Sequence, residues 1–391
     1  MHLLLRLKNT FALAVSILVP TTIAAQPFSI GHTSVAFYDG DRDRNITTEI
    51  YYPADVSGDD QPVSVGNFPV LVYGHGFVMG WDSYANVWSD LVPQGYVICF
   101  PTTETDISPD HGQFGQDLRF LAAQMQIETQ DNNSIFFNAL APETGLMGHS
   151  MGGGASFLAA ENNLNISALI NFAAAETTPS AISAAANITV PSLLFSGGSD
   201  CVTPPSDHQD LMYNNLSSSC KTQVNIINGG HCNFANDNFF CGLGETFCGG
   251  SGSITRAQQQ AVTNDLLGLW LDYALRGNQN SFAVFNDSLV SSTRVNYVQQ
   301  CLTVGLTDFS TSNELGVFPN PVIDKFDLRI PVEYTDGTLT MFNLVGQQVE
   351  QRKIISTMDE IDMSGYPTGS YFLRYDKNSK TLYSKIVKID R

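Results

Sequence analysis

From about residue 47 to 275, short apolar runs alternate with longer stretches in which apolar residues return every third or fourth position. The runs are Glu49–Tyr52, Pro69–Tyr73, Tyr96–Phe100, Gly145–Gly148, Ala168–Phe172, Pro191–Phe195 and Gln223–Ile227. Between several of them lie the amphipathic stretches Tyr84–Val92, Phe114–Ile127, Ser206–Leu216 and Ala257–Leu275. A short unbroken apolar run suits a strand buried on both faces, and a period near 3.6 suits a helix packed on it by one face. Their alternation predicts an α/β fold, a mostly parallel sheet flanked by helices. Ligands of such sheets gather at the carboxyl ends of the strands, so the residues just after each run are candidates for chemistry. Near the carboxyl terminus the period changes to two, at Thr338–Phe342 and Tyr371–Tyr375. That alternation predicts antiparallel strands with one buried face.

Charge sharpens the division. Of 19 Lys and Arg, two lie in residues 1–25, ten lie in 317–391, and only seven lie between, where 28 of the 38 acids also fall. The middle region therefore carries a net charge of −21, and the last 75 residues are neutral. This shift predicts a main domain over 26–301, a linker at 302–316 and a second domain over 317–391. An acidic body repels phosphate backbones, which excludes nucleic acid as a natural partner. Residues 1–25 open with Arg6 and Lys8, continue through the apolar run Phe11–Pro20 and end in Ala24 and Ala25. A basic start, an apolar run too short to span a bilayer and small terminal residues predict a cleaved signal peptide and no permanent membrane span.

Candidate chemistry begins at Gly145-Leu-Met-Gly-His-Ser150-Met-Gly-Gly-Gly154, a G-x-S-x-G pattern lying between an apolar run and the helix-forming Ala155–Glu161. A serine on such a strand-to-helix turn is held in a strained conformation with its hydroxyl exposed. A phosphate-binding loop would need a lysine that this segment lacks. A serine hydroxyl is inert until a base takes its proton, and the order serine, acid, histidine limits the base to His208 or His231. His208 falls inside a helical pattern, whereas His231 follows the run Gln223–Ile227 and the turn Asn228-Gly-Gly230. His231 is the expected base. Asp200 ends the run before it and is the expected acid, with Glu176, at the end of the preceding run, as the alternative. The oxyanion hole is expected from the backbone amides of Met151 and Phe77, the latter in Gly74-His75-Gly76-Phe77. His75 is read as a brace for that loop. No metal or cofactor is expected.

Together with Ile188-Thr-Val-Pro-Ser-Leu-Leu-Phe195 and Ser292-Thr-Arg-Val295, these segments resemble the lidless cutinase-like polyester hydrolases and the related dienelactone hydrolases, over about 30–300. The resemblance implies an α/β-hydrolase fold and ester cleavage through an acyl-enzyme. Two departures stand out. Ala175-Glu176 replaces the aromatic clamp of polyester hydrolases, and Cys232–Ser253 is an insertion rich in Cys, Gly and Phe. Phe77, Trp81 and Phe234, with Phe239, Phe240 and Phe247, are read either as an apolar rim for the substrate or as a small core under the loop. Val317-Phe-Pro-Asn-Pro-Val322, Leu344-Val-Gly346 and Gly365-Tyr-Pro-Thr-Gly-Ser-Tyr371 resemble the C-terminal sorting domain of type IX secretion, a small β-sandwich. It implies the type IX machinery as a partner and a secreted or cell-surface destination.

Seven cysteines in an exported chain predict disulfides with one thiol left over, Cys99 in its apolar run. Cys201 and Cys232 follow the acid and the base at the catalytic edge, and Cys220 sits about 20 Å away at the other. The preferred pairs are Cys201–Cys232 and Cys241–Cys248, with Cys220–Cys301 third. Two other functions fit the same residues: a serine peptidase or amidase, and a surface-binding protein that keeps the scaffold without catalysis.

Overall fold

A computed structural model describes residues 27–250, 252–301, 315–330, 335–378 and 380–389. The expected signal peptide and residues 302–314 of the expected linker lie outside the described residues. The chain divides into two compact units, after Leu302.

The first unit is built on a ten-stranded sheet. Its strands are β1 (Ser29–Asp39), β2 (Arg44–Ala54), β3 (Gly58–Asp59), β4 (Phe68–Gly74), β5 (Val97–Pro101), β6 (Leu140–His149), β7 (Ala168–Phe172), β8 (Ser192–Gly197), β9 (Cys220–Ile226) and β10 (Val295–Cys301). Their spatial order is β10-β9-β8-β7-β6-β4-β5-β2-β1-β3. The six strands from β9 to β5 in that order run parallel to their neighbours, and β10, β2 and β1 pair antiparallel at the flanks. The central strands are wholly buried, as in Phe-Pro-Val-Leu-Val-Tyr-Gly of β4, because helices cover both faces.

One face packs on α2 (His111–Glu128), α3 (Met151–Ala160), α4 (Ala181–Ala185) and α5 (Gln209–Asn215), through Phe114, Leu118, Leu121, Ala155 and Met212. The other packs on α1 (Ala85–Leu91), α7 (Arg256–Arg276) and α8 (Gln279–Ser291), through Leu91, Leu266, Trp270 and Phe285. Local sequence fixes the ends of α7: Thr255 and Gln258 form a reciprocal capping box, and Gly277 closes the helix in the left-handed conformation. Among the described residues no helix is long and apolar enough to cross a membrane.

The insertion after His231 contains a helix, α6 (Phe239–Phe247), and this overturns two expected disulfides. The pairs are Cys201–Cys248 and Cys232–Cys241, not Cys201–Cys232 and Cys241–Cys248. Seven helical residues separate Cys241 from Cys248 by about 10 Å, beyond the reach of one disulfide, so each end of α6 is tied to a different loop. Cys220–Cys301 joins facing positions of β9 and β10, as the topology predicted. Cys99 is a free, buried thiol.

The second unit contains two antiparallel sheets. One holds β11 (Gly316–Phe318), β12 (Lys325–Arg329) and β15 (Met358–Asp362), and the other holds β13 (Gly337–Asn343), β14 (Gln348–Ile354), β16 (Gly369–Lys377) and β17 (Lys380–Lys388). Alternate residues of the two sheets, among them Phe326, Leu328, Leu339, Met341, Leu373 and Ile386, share one apolar core.

Candidate active site

Parallel topology brings the ends of β6, β8 and β9 to one edge of the sheet, where Ser150, Asp200 and His231 meet. Ser150 adopts φ 54° and ψ −120°, a left-handed backbone unusual for a residue with a side chain. The turn is possible because the flanking glycines leave no side-chain bulk. A Cβ on Gly148 would lie 2.3 Å from the Gly152 carbonyl oxygen, and one on Gly152 would lie 2.1 Å from that of Gly74. The elbow is thereby pressed directly against the loop after β4.

His231 Nε2 lies 2.9 Å from Ser150 Oγ, and its Nδ1 lies 2.8 Å from Asp200 Oδ2. All three side chains are largely buried. Burial pushes the Asp200 carboxyl up, but the contact with His231 and the hydrogen bonds from Thr203 outweigh it and hold the group below the usual carboxylate range. Asp200 Oδ1 accepts from the Val202 and Thr203 amides at 2.8 Å, and Oδ2 accepts from Thr203 Oγ1 at 2.8 Å. Among the described residues Glu176 makes no hydrogen bond or ion pair with His231. Its carboxylate accepts from the Ile182 amide at the start of α4, and its own amide donates to His208 Nδ1. His208 is thus held on the Glu176 backbone.

The Met151 amide opens α3, where an N–H has no intrahelical partner. Among the described residues no turn or loop hydrogen bond uses the Phe77 amide, and the Phe77 ring is half exposed. His75 is buried, with its ring nitrogens 3.0 Å from the Gly76 carbonyl oxygen and 2.8 Å from that of Thr103, so it braces the loop as expected. Burial lowers its pKa despite those contacts.

Two residues expected at the rim stand elsewhere. Phe234 is buried beneath the site, its ring packed between those of His149 and Phe172, which is the core alternative. Trp81 stacks on His32 of β1 and packs at a tilt on Tyr51 of β2, three to four strands from the elbow in the sheet order. Both satisfy the same demand: a large ring near a strand end is drawn into whatever apolar contact the neighbouring strands offer.

The structure adds a hydrogen-bonded chain that sequence reasoning missed. The Gly76 amide donates to Tyr84 Oη at 2.8 Å, and Tyr84 Oη lies 3.0 Å from His149 Nδ1. His149 Nε2 lies 3.1 Å from the His231 carbonyl oxygen. Burial, helped by the neighbouring His231, lowers the His149 pKa to about 3, so the ring is neutral. A neutral ring facing a carbonyl at Nε2 carries its proton there, so Nδ1 accepts from the Tyr84 hydroxyl. One chain of bonds therefore joins the loop after β4, the elbow and the His231 loop. Gln259 of α7 clamps the last of these, accepting from the Gly230 amide and donating to its carbonyl, both at 2.9 Å. Only the Asp-x-x-Thr spacing of Asp200 and Thr203 left a local trace in the sequence.

Comparison with known proteins agrees with this architecture. The family model described as PET hydrolase-like matches residues 20–246, more than half of the chain. A second model, the secretion system C-terminal sorting domain, matches residues 316–389. A bis(hydroxyethyl) terephthalate hydrolase of Streptomyces coelicolor is 27% identical over 200 residues, covering 49% of this chain and 56% of that protein. Cutinase est1 of Thermobifida alba is 25% identical over 185 residues, covering 46% and 56%. The chain thus spans just over half the length of these relatives. An α/β-hydrolase sheet with its strand ends gathered at one edge, followed by a domain that marks the chain for secretion or surface attachment, places this chain in the PET hydrolase-like family of ester hydrolases.

Proposed function

We propose that the chain is an exported carboxylic-ester hydrolase in which Ser150 is the nucleophile, His231 the general base and Asp200 the acid that orients it. The observation that carries this reading is the unbroken contact from Ser150 Oγ through the His231 ring to Asp200. His231 Nε2 takes the hydroxyl proton as Ser150 Oγ attacks the ester carbonyl carbon. The oxyanion that forms is stabilised by the Phe77 and Met151 amides and by the positive end of α3. His231 then protonates the leaving alkoxide, leaving an acyl group on Ser150, and water activated by the same ring hydrolyses it.

The buried, ionised Asp200 stabilises the imidazolium and fixes its tautomer. Its three hydrogen bonds from the 202–203 segment keep the carboxylate charged without a second acid. The relatives' names support neutral esters as substrates, including a small terephthalate ester and a polyester. The sorting domain delivers the enzyme to substrates outside the cell.

The test is release of p-nitrophenol from butyrate esters by the full chain and by Ser150→Ala. We expect Ser150→Ala to lower kcat by about 10⁶-fold with folding retained. Turnover within tenfold of the parent would remove the central role of Ser150, and faster cleavage of matched p-nitroanilides would favour an amidase. Deleting residues 315–391 is expected to leave ester kcat/KM unchanged and to abolish export, read as enzyme retained in the cell. Normal export of the truncated chain would refute an addressing role for that unit.

A further inference from the structure

Helix α6 is amphipathic in the wrong sense for a soluble protein. Phe239, Phe240, Leu243 and Phe247 fall within an arc of about 100° at 100° per residue, and they are exposed at 75%, 52%, 38% and 82%. Cys241 and Glu245 occupy the opposite side and are buried. Glu245 accepts from the Cys232 amide at 2.9 Å, and Cys241 is bonded to Cys232. The inward face thus holds the helix's polar and covalent anchors, and the outward face carries three phenyl rings and a leucine. Contiguous exposed apolar surface of this kind marks an interaction site.

Two further observations say what covers it. The first is place. With Cα atoms 5.7 Å apart across Cys232–Cys241, the Cα of Cys241 lies within about 10 Å of that of His231. Cys201–Cys248, also 5.7 Å, ties the other end to the residue after Asp200. The patch is therefore clamped to both loops that carry the acid and the base, so whatever it holds is held beside the reacting serine. The second is charge. The segment 238–250 has one ionisable side chain, Glu245, and it is turned inward, while the body of the chain carries −21. Such bodies repel one another, which disfavours a second copy as the occupant. An uncharged apolar solid meets no such repulsion.

We propose that the outward face of α6 is an adsorption surface for a neutral, solid polyester, holding the enzyme at the polymer with its catalytic edge toward the chain ends. The identity of the occupant rests on the ester-hydrolase reading; the existence of the patch does not. Two tethers give the platform a fixed orientation, so binding orders little that is not already ordered.

The test measures depletion of the full chain from solution by poly(ethylene terephthalate) microparticles, in a Ser150→Ala background so that catalysis plays no part. Combined Phe239→Gln, Phe240→Gln and Phe247→Gln should weaken adsorption by about tenfold or more. Glutamine keeps helix propensity, and the same three substitutions with Ser150 intact should leave turnover of dissolved butyrate ester within about twofold. Should that turnover collapse, Phe247→Gln alone decides, with an expected loss of about threefold in adsorption. Unchanged adsorption in the deciding variant would overturn the proposal. So would stronger binding to neutral phosphatidylcholine vesicles than to polymer, or wild-type dimers in sedimentation that the substitutions abolish. Failure of the parent enzyme to cleave any ester would sink the hydrolase reading while leaving the adsorption result legible on its own.

Discussion

Replacing Tyr84 by Phe deletes one oxygen from the centre of the site's hydrogen-bonded chain. That oxygen accepts from the Gly76 amide at 2.8 Å and donates to His149 Nδ1 at 3.0 Å, in a fully buried setting. The substitution conserves ring packing on Tyr73 and Phe100, so the change is confined to polar satisfaction. Two buried groups lose their partner at once. An orphaned buried donor or acceptor costs about 1–3 kcal/mol, so Tyr84→Phe should destabilise the first unit by about 2–6 kcal/mol. The assay is urea unfolding followed by tryptophan fluorescence, which reports this unit alone because Trp81, Trp88 and Trp270 all lie in it. Because Gly76 precedes the proposed oxyanion donor Phe77, kcat on dissolved butyrate esters should fall about tenfold with little change in KM. Tyr73 supplies the control. Its buried hydroxyl meets no protein partner among the described residues, so Tyr73→Phe should cost under about 0.5 kcal/mol. A loss below about 0.5 kcal/mol in Tyr84→Phe, or equal losses in both variants, would refute the network.

Asp200→Asn should lower kcat by about 10⁴-fold by favouring the wrong imidazole tautomer, whereas Glu176→Gln, which caps α4, should leave kcat within a few fold; the reverse order in a steady-state assay would reassign the acid. Acid stability should carry the mark of His149. Its folded pKa, near 3, lies below the ordinary value of 6.5, so below pH 6.5 the unfolded chain takes a proton that the folded one refuses. Stability should then fall as pH falls, approaching about 1.4 kcal/mol per unit from this group, and the depressed Asp200 carboxyl adds a loss of the same sign as pH drops from the ordinary carboxylate value of 3.8 toward its lower folded value. Urea midpoints from pH 7 to 4 that do not decline, or that decline equally in His149→Gln, would contradict this.

Much of this protein was legible in the chain itself. The alternation of buried runs and amphipathic stretches points to a parallel sheet with two covered faces, and the apolar centres of β6 and β8 follow from it because such a run is most stable between helix layers. The elbow was readable because Gly148 and Gly152 are needed locally, each facing backbone where no Cβ fits. The unequal charge of body and tail, and the change of period from 3.6 to 2, separated two units that bury unlike surfaces.

Only the tertiary structure decided the rest, and for one physical reason: these features depend on partners distant in sequence. Tyr84 and His149 are 65 residues apart, and nothing local distinguishes them from ordinary core residues until the fold brings Gly76 and the His231 carbonyl to either end. Trp81 and Phe234 are apolar rings in short helical turns after strands, and their packing away from the mouth was settled by which rings lay beside them. The cysteines of the insertion pair outward to the Asp200 and His231 loops because α6 holds Cys241 and Cys248 too far apart to meet. Residue type and spacing determine which elements form and which side chains can do chemistry; which of them touch is set by the sheet order that the whole chain must satisfy together.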